Sequence, residues 1–144
     1  MDIARALSMT CRYTGHVPRF YSVAEHSVLV SDQLDSLWAG ERLVALLHDA
    51  AEAYLHDLPT PIKDVMPGYQ EAEEDALVAI AEALGLVITP ELGLRVREVD
   101  KRVFELEQAA FGGEYNCVRF LTPPEAEQVF LERFGLLRTL RSFE

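Results

Sequence analysis

The chain has 144 residues, 49% of them hydrophobic, and its 24 acidic against 13 basic side chains leave a net charge of −11. A surface this acidic excludes broad binding to nucleic-acid polymers, which need a positive footprint, and no stretch reaches the roughly 20 apolar residues of a membrane span. Cys11 and Cys117 are too few and too far apart for a disulfide framework.

Helix signals dominate, and alternating β-branched runs joined by Asn-Gly or Asp-Gly turns are missing from the sequence. Asp2 can cap a first helix reaching about Arg12, followed by a loop over Thr14-Gly15-His16-Val17-Pro18-Arg19. Ser22-Val23-Ala24-Glu25 reads as a capping box that opens a second helix to about Ala39, with Gly40 as its stop. A third helix is expected from Glu41 to Leu55, where Asp57-Leu58-Pro59-Thr60-Pro61 ends it because proline cannot continue a helix. A fourth runs from about Tyr69 to Leu84 before Gly85, and Thr89-Pro90 opens a fifth to about Phe111. After Gly112-Gly113, Thr122-Pro123-Pro124 starts a last helix to about Leu140. The expected fold is a compact all-α bundle of about six helices, forming one domain over residues 1–144. The helical pattern directly after Met1 leaves no secretory signal, so a cytoplasmic setting is the expected one.

Polar intruders mark the apolar faces. Asp100 has Val96 at i−4, Val103 at i+3 and Phe104 at i+4; His26 has Val23, Leu29 and Val30 around it; His48 has Val44, Ala45 and Ala51. A lone buried imidazole or carboxylate costs several kcal/mol or changes its protonation. Three unrelated residues, each satisfied by a local hydrogen bond, are one explanation. A shared cation held by His26, His48, the adjacent Asp49 and Asp100 is the better one, because it accounts for all of them at once. Two imidazoles and two carboxylates suit Zn²⁺, Mn²⁺, Fe²⁺ or Co²⁺. Glu52, four residues after His48 and three after Asp49, faces the same side and is placed to handle a proton or orient water; the plain alternative is a surface glutamate paired with a cation. His56-Asp57 is a second His-Asp pair, but it falls at a helix end, so His56 reads as a solvated or capping residue.

The pattern His26, His48-Asp49, Asp100 resembles the HD-domain phosphohydrolases, and most closely their 5′-deoxynucleotidase branch with its phage and bacterial relatives. Tyr21-Ser22-Val23-Ala24-Glu25-His26-Ser27, His48-Asp49-Ala50-Ala51-Glu52 and Asp57-Leu58-Pro59-Thr60-Pro61-Ile62-Lys63 carry the resemblance, which spans roughly Ile3 to Leu106 and more weakly Thr122 to Phe134. It implies one divalent ion (Co, Mn, Zn, Fe or Mg) on the four ligands and active-site roles for Glu52 and Asp57, which in some relatives bind a second ion. It also implies a nucleotide substrate and self-association into a homo-oligomer.

Arg12-Tyr13 resembles the Arg-Trp pair with which that branch holds phosphate and screens the sugar, with tyrosine in place of tryptophan. Arg12, Tyr13, Arg19 and Lys63 are therefore the expected substrate contacts, His16 lying in the same loop, although without the resemblance each basic residue reads as a solvated surface charge. The expected activity is metal-dependent release of phosphate from 2′-deoxynucleoside 5′-monophosphates. Its rivals are a dATP-type triphosphohydrolase that releases triphosphate and a non-catalytic helical module stapled by metal. Glu71, Glu73, Glu74 and Asp75 read as a solvated helix start, and Val129, Phe130, Leu137 and Leu140 as core or subunit interface.

Overall fold

Residues 2–114 and 116–144 are described by a computed structural model; Met1, and with it the reading of the extreme N-terminus, lies outside the described residues. The chain is all-α: α1 (Asp2–Met9), α2 (Val23–Gln33), α3 (Ala39–Leu46), α4 (Glu52–Leu55), α5 (Thr60–Lys63), α6 (Tyr69–Ala83), α7 (Pro90–Phe111) and α8 (Pro123–Arg141), with a 3₁₀ turn at Arg12–Gly15. Among the described residues the extended backbone pairs only at the isolated Cys11–Ser22 bridge. Among the described residues, no helix is long and apolar enough to cross a membrane.

The α8 helix lies along α1, α2 and α3. Their apolar faces meet in a core built on Leu7, Val23, Leu43, Leu46, Phe130 and Leu137. A second cluster fastens α7 to α2 and α3 through Val30, Leu34, Val44, Val96, Val99 and Val103. Val23, Val30, Val44, Val96 and Val103 among them are the apolar neighbours that the three-and-four spacing marked around the candidate ligands. Phe130 and Leu137 of the last helix are core, while Leu140 is exposed.

Start signals were read correctly where a side chain closes on the backbone. Thr89 Oγ1 accepts from the Leu92 amide at 3.2 Å, and Glu125 accepts from the Thr122 amide at 2.8 Å. At Ser22 the box is only half made. Ser22 Oγ accepts from the Glu25 amide at 3.1 Å. The Glu25 carboxylate, however, turns away to accept from the amides of Arg119 (2.6 Å) and Leu121 (2.8 Å), anchoring that distant segment on α2.

Three helix ends differ from the sequence reading. The first helix stops at Met9 because the following backbone pairs with Tyr21–Val23: Arg12 N donates to Tyr21 O at 2.8 Å, and Val23 N to Thr10 O at 2.9 Å. The second stops at Gln33, and Gly40 sits in the first turn of α3 rather than stopping a helix. Ser36 drives this change: its hydroxyl accepts from the Trp38 amide (3.0 Å) and donates to Glu41 (2.6 Å), local bonds that compete with the helical ladder. The third expected helix, Glu41 to Leu55, is broken between α3 and α4, and the break carries the site.

Candidate metal centre

At Leu47 the backbone leaves helical geometry (φ −102°, ψ 8°). The ladder then tightens to three-residue steps, with Ala50 N donating to Leu47 O at 2.9 Å and Glu52 N to Asp49 O at 3.0 Å. This turn brings two consecutive side chains to one place: His48 Nε2 lies 3.2 Å from Asp49 Oδ2. From α2, His26 Nε2 comes to 3.3 Å from His48 Nε2 and 3.5 Å from Asp49 Oδ2. From α7, Asp100 Oδ1 stands 3.0 Å from His26 Nε2 and 3.7 Å from His48 Nε2. Single ligand atoms of His26, His48 and Asp100 all fall within 4.8 Å of one another, so this group can hold a metal ion.

The other ring nitrogens show which atoms are free to ligate. His48 Nδ1 lies 2.8 Å from Ala45 O, a carbonyl that can only accept, so the proton sits on Nδ1. His26 Nδ1 lies 2.6 Å from a Glu107 carboxylate oxygen, which fixes its proton in the same way. Both Nε2 lone pairs then face one another at 3.3 Å and need a positive charge between them. Without a cation, a proton on His48 takes that role. Burial opposes charge on His48, but Asp49 and Asp100 outweigh it and raise its pKa well above the usual imidazole range. Burial would likewise raise the two aspartates, yet His48 for Asp49, and His26 with His48 for Asp100, hold both well below the carboxylate range. The donor set, two oriented imidazoles and flanking carboxylates, fits a divalent cation of the Zn, Mn, Fe or Co type.

A cavity of about 430 Å³ opens beside the cluster, and Asp49 and Asp100 form part of its wall. Arg12, Tyr13, Glu52, Asp57 and Lys63, all foreseen in the sequence, line it, joined by Lys101 and Phe104, which were not. Arg12 is buried and spans the site, with Nη2 3.1 Å from Glu107 and Nη1 3.7 Å from Asp49. Its Nε and Glu52 Oε2 are buried without a hydrogen-bond partner. Burial, then Asp49 and Asp57, push the Glu52 carboxyl up to about 9. Lys63 Nζ pairs with Glu73 at 2.6 Å and lies 3.6 Å from Glu52.

Arg19 does not join this group. It is exposed, its guanidinium stacked 5.2 Å above Phe120, because the loop after Gly15 leads it away from α2 and α7. His16 is exposed as well. The His56 side chain is also exposed, while its carbonyl accepts from Tyr69 Oη at 2.6 Å and its backbone takes a positive φ of 66°.

Glu107 is a further residue that sequence reading missed. It is fully buried and gathers His26 Nδ1, Arg12 Nη2, the Tyr21 hydroxyl at 2.7 Å and the Tyr13 hydroxyl. The signal was available: Val96, Asp100, Val103 and Glu107 follow one another at four, three and four residues, the spacing of a single helical face. Tyr13 and Thr14 hold left-handed backbone conformations (φ 55° and 54°), unusual for side chains of their size, as the chain turns Arg12 and the Tyr13 hydroxyl onto Glu107.

No family model matches the chain. It is 36% identical to uncharacterized protein YfdR of Escherichia coli, across 97% of this chain and 84% of that protein. It is 32% identical to uncharacterized protein RCAP_rcc00048 of Rhodobacter capsulatus, across 96% of this chain and 85% of the relative. With both matches running nearly end to end, the chain belongs to the family of E. coli YfdR.

Proposed function

We propose that the protein is a metal-dependent nucleotide phosphohydrolase of the HD-domain type, cleaving 2′-deoxynucleoside 5′-monophosphates to deoxynucleoside and phosphate. His26, His48, Asp49 and Asp100 would hold the ion. The observation that carries this reading is the convergence of two imidazole Nε2 atoms beside a cavity whose wall holds a buried arginine. A divalent ion bound there supplies Lewis acidity and offsets the negative charge of a phosphate.

The protein's own groups supply the rest. Arg12, held rigid by Glu107, presents the guanidinium that binds phosphoryl oxygens and stabilises charge growing on them. Glu52, whose carboxyl lines the cavity, orients the attacking water or handles its proton. The water oxygen bonds to phosphorus, the bond to the 5′ oxygen breaks, and that oxygen leaves with a proton. Asp57 and Lys63 line the same cavity, next to Glu52, and tune its charge. Tyr13 stands at the cavity wall, where the sugar would pack.

A panel of ribo- and deoxyribonucleoside mono-, di- and triphosphates tests this, each with Mn²⁺, Co²⁺, Mg²⁺ and Zn²⁺. Orthophosphate and tripolyphosphate are measured separately. Orthophosphate from deoxynucleoside monophosphates, lost in Glu52→Gln, is expected. Tripolyphosphate from dATP would move the assignment to triphosphohydrolase, and inert nucleotides throughout would overturn it.

A further inference from the structure

Apart from the Arg12 cavity, a second hollow of about 250 Å³ opens against His48, Asp49 and Asp100, and the chemistry above does not use it. Leu77, Ile80 and Ala81 of α6 form one wall; Val44 and Leu47, before the His-Asp turn, and Val96 of α7 form the other. The α6 helix therefore faces a gap where it would otherwise pack on α3 and α7. Its burial agrees: of its fifteen residues, Ala81 alone is buried. An apolar gap costs stability while it stands empty, and apolar walls give water few partners.

The polar groups are unevenly placed around it. His48, Asp49 and Asp100 close the inner end, where Asp49 already has the His48 ring at 3.2 Å and Asp100 the His26 ring at 3.0 Å. Arg97 and Ile88 are exposed and mark the mouth. Arg97 is the only arginine or lysine among the described residues of the lining. A hollow that is apolar within and carries one guanidinium at its rim matches a molecule with an apolar tail and an anionic head. The tail leaves water for the gap, and the guanidinium donates two parallel hydrogen bonds to a carboxylate. The volume lies below the roughly 300–1,000 Å³ that takes a drug-sized ligand, which keeps the tail short. Gly93 adds room at the wall, since a Cβ built there meets nothing within 4 Å.

We infer that this hollow is a second ligand site, which takes a short-chain carboxylate with its alkyl tail between α6 and α7 and its head on Arg97. An occupant lies against Leu47 and His48 and so reaches the metal centre from its apolar side. Its binding is independent of the phosphohydrolase reading, since it calls for neither phosphate nor metal. The intact metal-free protein is therefore titrated with butanoate and hexanoate, and with hexanol and hexylamine as the neutral and cationic counterparts. Calorimetry gives the affinities and methyl NMR places the tail.

Hexanoate should bind more tightly than butanoate by about fourfold per added methylene, and about fivefold more tightly than hexanol or hexylamine. Its chain should show nuclear Overhauser contacts to the methyl groups of Leu77, Ile80 and Val96. Arg97→Gln, a change at an exposed side chain that leaves the core intact, should bring hexanoate down to the level of hexanol. Gly93→Leu, which fills the hollow, should weaken hexanoate at least tenfold. Full hexanoate affinity in Arg97→Gln would put the head elsewhere and overturn the inference, as would hexanol binding equal to hexanoate, contacts outside the hollow, or no binding at all. Nucleotide hydrolysis without hexanoate binding would sink the carboxylate site alone. Hexanoate binding without hydrolysis of any nucleotide would sink the phosphohydrolase reading alone.

Discussion

Glu107 and His26 share a 2.6 Å hydrogen bond between two fully buried side chains, and the same carboxylate holds Arg12 at 3.1 Å. One residue thus orients both a candidate metal ligand and the candidate phosphate-binding cation. Burial alone would raise the Glu107 pKa, but His26, Arg12 and Tyr13 keep it below the usual range, so the group is anionic at neutral pH. Glu107→Gln removes that charge and sets an amide NH₂ against donors. Metal affinity should fall about 10- to 100-fold, and stability by about 3 kcal/mol, the cost of breaking a buried charged network. Metal titration and urea melts measure the two effects; unchanged metal affinity would refute the orienting role.

Arg12→Lys keeps a positive charge but loses the planar fork that reaches Glu107 and Asp49 together. The expected outcome is a KM for nucleotides raised at least tenfold and weaker inhibition by orthophosphate, with metal content unchanged. Steady-state kinetics alongside elemental analysis checks it. Loss of metal together with activity would show that Arg12 acts on the ligands instead.

Glu52 gives the pH dependence its sign. Its folded-state pKa lies near 9 against an ordinary 4.5, raised by burial first and then by Asp49 and Asp57. Between those values the folded chain keeps a proton that the unfolded chain has lost. The stabilising contribution is therefore complete below about 4.5 and declines as pH rises towards 9, at no more than about 1.4 kcal/mol per pH unit. In metal-free protein, Glu52→Gln should remove this decline and be more stable than wild type at pH 8. Parallel urea melts from pH 5 to 9 would contradict this if the wild-type and variant curves keep a constant separation.

The helical class and the converging residues were legible because each rests on local signals: three-and-four periodicity, Thr89-Pro90, and polar side chains at core spacings. What stayed hidden depends on contacts between distant segments. Nothing near Leu47 announces a break in the helix, yet the turn there is what aims His48 and Asp49 together. Glu25 read as a capping residue, because the amides of Arg119 and Leu121 that claim it lie more than ninety positions away. Arg19 reads as a substrate contact from its place in the loop flanking the ligand helices, and its partner, the Phe120 ring, is as distant.

Removing the cation should soften the whole molecule, because the cluster joins α2, the His48-Asp49 turn and α7. Ion present at about a thousandfold over its Kd stabilises by about 4 kcal/mol, which for a domain of this size is about 10 °C in Tm. Calorimetric scans before and after chelation, with metal restored afterwards, measure it. A Tm indifferent to chelator would mean that the fold is indifferent to the site.

The most direct test of the shared cation is metal stoichiometry by elemental analysis and calorimetric titration, on wild type and on His26→Ala, His48→Ala, Asp49→Asn and Asp100→Asn. One ion per chain in wild type, bound at least 100-fold more weakly in each variant that stays folded, is the predicted result. A wild-type protein that takes up no divalent ion, or variants that bind it as wild type does, would contradict it.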